Sequence, residues 1–232
     1  MNIFITGDTH REFQRIWEFA EETPVAWSKE DVLIILGDAG INYYLDDDDR
    51  SLKYELSMLP FTLLCIKGNH ELHADQIDSY QEIPWHGGTV YCEDEYPNLL
   101  FAKDGEIYDL NGKKAIVIGG AYSVDKYVRL RLGSAWFDTE QPSDAVKDYV
   151  EHQLERAGWM VDFVLSHTAP KPYEPTWAFI PGLNQALVDD STEKWLTTIE
   201  QRLDYEQWFC GHYHVESQEG PIRIMYEDYE EL

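Results

Sequence analysis

Hydrophobic positions along the chain alternate between short apolar runs and helical stripes. Ile3 to Thr6 is a brief β-branched and aromatic run, and Arg11 to Glu22 follows with Phe13, Ile16, Trp17 and Ala20 on one helical face. Val32 to Leu36 ends at a glycine and precedes Asp46 to Leu59, where Leu52, Leu56 and Leu59 have helical spacing. Thr62 to Ile66 also leads into a glycine. Strands alternating with helices predict right-handed crossovers and a mainly parallel sheet.

The pattern changes between Thr89 and Gly120. Short runs at Thr89 to Cys92, Leu99 to Ala102, Glu106 to Leu110 and Lys114 to Ile118 predict an antiparallel portion, with Asn111-Gly112 as a hairpin turn. Beyond Pro142 a helix is expected to about Ala157, because proline is tolerated in a first turn. Buried runs at Val161 to Leu165 and Trp208 to Cys210 flank another helix near Asp189 to Leu203. The fold class is α/β, and residues 1–232 are expected to form a single domain. The acidic runs Asp46 to Asp49 and Glu227 to Leu232 read as solvated surface.

A small residue followed by a candidate ligand recurs after the apolar runs: Gly7-Asp8, Gly37-Asp38, Gly68-Asn69, Ser166-His167 and Gly211-His212. Parallel strands place their C-terminal ends on one edge, where open α/β sheets bind ligands, so these segments are expected to converge. His10 and His214 follow Asp8 and His212 at a spacing of two, which in extended chain projects to one face. The set becomes Asp8, His10, Asp38, Asn69, His167, His212 and His214. Oxygen and imidazole donors without cysteine suit Mn, Fe, Zn or Co rather than a thiolate zinc site. The set exceeds what one ion needs, and a bridging Asp38 divides it between two.

These residues resemble the calcineurin-like metallophosphoesterase family, through Asp8-Thr9-His10, Gly37-Asp38, Gly68-Asn69-His70-Glu71, His167 and Gly211-His212-Tyr213-His214 in order. The resemblance implies a four-layer αββα sandwich with two mixed β-sheets. It assigns Asp8, His10, Asp38 and His214 to one metal and Asp38, Asn69, His167 and His212 to the other. It also implies a metal-bridging water or hydroxide as nucleophile, with His70 beside the phosphate as proton donor or transition-state stabiliser. Asp38 and His70 are thus the catalytic candidates, and manganese is the favoured metal for activity. One departure matters. Phosphoprotein phosphatases of the family carry an arginine after the second aspartate motif and another before Gly-Asn-His-Glu. Here those places read Asp38-Ala39-Gly40 and Lys67-Gly68. Without those bidentate grips on a monoester, a serine/threonine protein phosphatase is disfavoured. A small phosphodiester or nucleotide is the expected substrate. A phosphomonoesterase and a noncatalytic metal-binding interaction module of the same fold are the alternatives.

The formal charge of −26 repels polyanions, so neither stable nucleic-acid binding nor attachment to an anionic membrane is expected. Bound cations rather than Lys and Arg would then attract a phosphate-ester small molecule. Cys65, Cys92 and Cys210 read as structural thiols in a reducing cytoplasm, and no apolar run reaches spanning length. Residues 122–141 and 168–183 are long connections beside the predicted ligand strands and are expected to wall the site. Within them, Arg129, Arg131 and Lys171 are candidates to meet a phosphate and Trp136, Trp177 and Phe179 to stack on a base or ring, although ordinary surface charges and packing aromatics are the favoured reading. His73, His86 and His152 read as surface or packing histidines.

Overall fold

The computed structural model describes residues 1–232. Strands β1 (Ile3–Thr6), β2 (Val32–Ile35), β3 (Thr62–Cys65) and β6 (Leu99–Ala102) lie side by side in parallel. Antiparallel β5 (Gly88–Cys92) and β4 (Gln81–Trp85) extend one flank, and β13 (Tyr229–Glu231) pairs antiparallel with β1 on the other. A second, six-stranded sheet has the order β11-β12-β10-β9-β8-β7. Its members are β7 (Ile107–Leu110), β8 (Lys113–Ile118), β9 (Phe163–Ser166), β10 (Gln207–Cys210), β11 (Ser217–Glu219) and β12 (Ile222–Ile224).

Alternation along the strands creates the layers. Ile3, Ile5, Ile34, Leu36, Leu64 and Ile66 face Tyr108, Ala115, Val117, Leu165 and Phe209 in one buried cluster between the sheets. Their neighbours Phe4, Leu33, Ile35, Leu63 and Cys65 point the other way, towards Ile16 of α1 (Gln14–Glu22) and Leu56 of α2 (Asp47–Ser57). On the second sheet, Ile116, Val164, Trp208 and Cys210 meet Val150 and Leu154 of α4 (Asp144–Arg156) and Leu196 and Ile199 of α5 (Ser191–Glu200). Both faces of the central strands are buried, which is why they read as continuous apolar runs. The result is the expected four-layer αββα sandwich.

Some expectations are corrected. Gln81–Trp85 forms an edge strand although it contains Pro84, because an edge position leaves one side without a ladder partner. The acidic tail is not simply solvated: Phe4, Ile5 and Thr6 pair with Glu231, Glu230 and Tyr229. In the aspartate run, Asp46 caps α2 by accepting the N–H of Asp48 at 2.9 Å. Asp49 is buried, pairs with Arg11 and accepts the N–H groups of Tyr44 and Leu45. The connection from 122 to 141 contains a short helix, α3 (Lys126–Leu132). The Asn111-Gly112 turn has positive φ at both residues (56° and 85°), as a type I′ hairpin requires. No helix is long and apolar enough to cross a membrane.

Candidate metal centre

Strands β1, β2, β3, β9 and β10 all end on one edge, and the residues just beyond those ends supply the candidate ligands. Asp8 is buried, with Oδ2 lying 3.6 Å from His10 Nε2 and 3.3 Å from His214 Nε2. The two imidazole Nε2 atoms are 2.8 Å apart. Asp38 Oδ2 is 3.8 Å from His10 Nε2 and 3.6 Å from His167 Nε2, so it sits between the two halves of the set. Asn69 Oδ1 lies 2.8 Å from His167 Nε2, while its amide donates to Ser123 Oγ at 2.9 Å. The His212 ring packs edge-on against His167 with centroids 5.0 Å apart.

Three overlapping groups of His and Asp donors have geometry suited to a cation: Asp8, His10 and His214; Asp8, Asp38 and His167; and His10, Asp38 and His70. The fit rests on an observation of this chain. Asp8 Oδ2 is fully buried and accepts no hydrogen bond, although two imidazole nitrogens converge on it. An orphaned buried carboxylate oxygen is costly unless a cation completes it. His212 stands outside the three groups as a side chain, although its backbone N–H donates to Asp8 Oδ1 at 2.9 Å.

The backbone at these positions is unusual. His10, Asp38, His212 and His214 all have positive φ, at 45°, 48°, 70° and 52°. Non-glycine residues in the left-handed region cost free energy and cluster where function over-determines the chain path. The glycines beside the ligands serve close approach: a Cβ on Gly68 would overlap Asp38 Oδ1, and one on Gly211 would overlap Asp8 Oδ1.

Hydrogen bonds fix the orientation of the candidate ligands. Asp38 Oδ1 accepts the backbone N–H groups of Asn69 at 2.6 Å and His70 at 2.8 Å, leaving Oδ2 for the centre. Burial opposes charge on Asp38, but His167, His70 and His10 hold its carboxyl well below the usual range. Burial likewise opposes charge on His167, yet Asp38 and Asp8 raise it to about 9. For His212, burial and the neighbouring His167 lower the imidazole to about 3. Burial lowers His70 as well, with Arg129 and His10 adding to the effect.

A cavity of about 260 Å³ opens at this edge, lined by Asp38, Asn69, His70, His212 and His214 on one side. Tyr122, Val124 and Asp125 from the first long connection and Ala178, Phe179, Ile180 and Leu183 from the second form its walls. For Arg129 the sequence offers a phosphate contact beside the favoured surface reading. The residue is not an ordinary surface charge: its side chain is 14% exposed, and its guanidinium contacts the His70 ring. Helical spacing alone could not show that α3 folds back over the strand edge. Trp177 is solvent-exposed rather than packed, whereas Trp136 packs under Lys126 and bonds Glu140. Lys171 pairs with Glu174 and Asp190. Of the remaining histidines, His73 is buried against the Gly68 carbonyl, His86 is half-buried and His152 is exposed.

The protein is thus a two-sheet α/β sandwich carrying clustered Asp and His donors at its strand ends. The chain belongs to the calcineurin-like phosphoesterase family, whose profile matches residues 1–216. Among solved structures, it is similar to the phosphopantetheinyl hydrolase of Mycobacterium tuberculosis, with 16% identity and a TM-score of 0.50, over 97% of this chain and 88% of that one. It is also similar to the protein TT1561 of Thermus thermophilus, with 12% identity and a TM-score of 0.50, over 99% and 97% of the two chains. At these identities the likeness concerns the fold. No curated protein matches the chain by sequence.

Proposed function

We propose that this protein is a dinuclear metal-dependent hydrolase of small phosphate esters. The observation that carries the reading is the placement of Asp38, whose Oδ2 lies within 3.8 Å of His10 Nε2 and 3.6 Å of His167 Nε2. A carboxylate between two imidazole groups suits a bridge. Asp8, His10, Asp38 and His214 would hold one ion, and Asp38, Asn69, His167 and His212 the other. The donor set accepts Mn, Fe, Zn or Co, with Mn favoured for turnover. When bound, two divalent cations supply an activated water and neutralise charge on the phosphate.

The chain's own residues do the rest. Asp38 and Asp8 are held by backbone N–H groups, so their remaining oxygens are pre-aimed at the centre. His70 shares the cavity edge with Asp38 and Asn69 and is the candidate for moving a proton at the ester oxygen. The apolar wall of Ala178, Phe179, Ile180 and Leu183 excludes water from one side of the alcohol moiety. The cavity size supports a small molecule over a polymer, as does the charge of −26. Three buried free thiols support a reducing, cytoplasmic setting.

The test is elemental analysis of the purified protein, followed by assay of p-nitrophenyl phosphate and bis(p-nitrophenyl) phosphate with added Mn, before and after chelation. About two metals per chain and chelator-sensitive release of nitrophenol are expected. Metal binding without turnover of either ester would favour a noncatalytic module.

A further inference from the structure

We infer that Arg129 is a substrate-binding residue that grips the phosphate from α3 and gives the site a preference for phosphomonoesters. This rests on the phosphoesterase reading above.

No arginine adjoins Asp38 or Asn69 in sequence, where Ala39 and, two residues before Asn69, Lys67 stand. Lys67 does not substitute for one, because its ammonium pairs with Asp104 at 3.6 Å and lines a different cavity with Tyr91, Phe101 and Tyr149. Other nearby cations are committed elsewhere. Arg11 is paired with Asp49, and Arg15 donates to Thr6 and to the backbone carbonyls of Gly7, Asp8 and Tyr226.

Arg129 is also paired, with Asp125, but it is the arginine that reaches His70. Its Nε donates to Asp125 Oδ2 at 2.7 Å and its Nη1 to the Ala135 carbonyl at 3.0 Å. Those two bonds anchor the fork, and the remaining Nη2 is turned towards His70 Nδ1. A guanidinium can only donate, and a fork immobilised on two sides loses little entropy when it binds an anion. Nη2 of Arg129 thus adjoins the ring of His70, which lines the cavity with Asn69, Asp38 and Asp125. A phosphate oxygen entering the cavity can replace His70 Nδ1 as the acceptor of Nη2.

Counting oxygens turns the position into a specificity. A monoester has three non-bridging oxygens and a diester has two. If each cation takes one, the monoester has a third for Arg129 and the diester has none left. The metal motifs themselves carry no arginine. The fold supplies one from a segment distant from the metal motifs.

The experiment uses the full-length, manganese-loaded protein and the variants Arg129→Ala, Arg129→Lys and Arg131→Ala, the last an exposed residue on the same helix. Calorimetry measures binding of inorganic phosphate, and steady-state kinetics compare p-nitrophenyl phosphate with bis(p-nitrophenyl) phosphate. Arg129→Ala should weaken phosphate binding and lower monoester kcat/KM by about tenfold or more, with diester hydrolysis changed by less than about threefold. Arg129→Lys should recover only part of the loss, and Arg131→Ala should behave as wild type, with metal content unchanged in all three. Unaltered phosphate affinity in Arg129→Ala, equal losses on both esters, or no phosphate binding by the wild type would overturn the assignment. Arg129-dependent phosphate binding without turnover would instead sink the hydrolase reading and the ester preference with it, and leave the phosphate grip standing.

Discussion

His167 Nδ1 lies 2.7 Å from the backbone carbonyl of Leu36, a residue on the neighbouring sheet and 131 positions away in sequence. A carbonyl only accepts, so Nδ1 carries the hydrogen and Nε2 is the nitrogen that faces Asp38 and Asn69. The bond ties the edges of the two sheets together and fixes the ring of this candidate ligand, as outer partners of metal-bound histidines do. His167→Ala should therefore lower metal content from about two to about one per chain. Elemental analysis finding both ions retained would remove His167 from the ligand set.

Asp38 lies between the two halves of the site, so its loss should be felt by both. Asp38→Ala is expected to lose both metals and all metal-stimulated hydrolysis while keeping the circular dichroism of the wild type. Loss of a single ion would argue against a bridge.

His70 is placed beside the centre without being required to hold it. Removing a general acid typically costs about 10²–10⁴ in rate, so His70→Ala should lower kcat by that order and leave metal content intact. Coincident loss of metal would instead make it a ligand, as its grouping with His10 and Asp38 allows.

Gly68 has no space for a side chain, since a Cβ there would overlap both the carboxylate and the backbone of Asp38. Gly68→Ala should destabilise the protein by about 1–3 kcal/mol, the usual cost of overpacking, and weaken metal binding with it. Denaturant unfolding and a metal titration measure the two effects, and a wild-type result in both would refute the close approach.

Glu193 predicts a pH dependence. Its Oε1 accepts from the Thr168 hydroxyl at 2.9 Å, its Oε2 has no partner, and burial pushes the carboxyl up to about 7. An acid with a raised folded pKa holds its proton longer in the folded state. Stability therefore falls as pH rises from about 4.5 to about 7 and stays lower above. Glu193→Gln should flatten that part of the profile and stabilise the metal-free protein at pH 8 relative to wild type. Equal destabilisation at pH 5 and pH 8 would show that the carboxylate is needed as an acceptor rather than tolerated.

The central strands were legible because burial on both faces makes them unbroken apolar runs: Ile3 to Thr6, Val32 to Ile35 and Thr62 to Cys65 lie where the pattern puts them. Strands that pair only at an edge gave no such signal. Gln81–Trp85 carries a proline and exposed polar residues, and Tyr229–Glu231 is acidic, so only the partner strand reveals either. The same limit applies to Asp49, whose burial depends on Arg11 approaching from a distant segment.

For the candidate site, sequence alone determined which residues could ligate and in what order, because a small residue before each donor and the repeated strand endings are local features. Tertiary structure decided everything that depends on distance. It oriented His167 on Leu36, left Asp8 Oδ2 without a partner, put four candidate ligands in the left-handed region, and brought Arg129 to His70. Local patterning records how a segment meets its own neighbours. Contacts between segments far apart in the chain follow from how the layers pack, and no single segment encodes them.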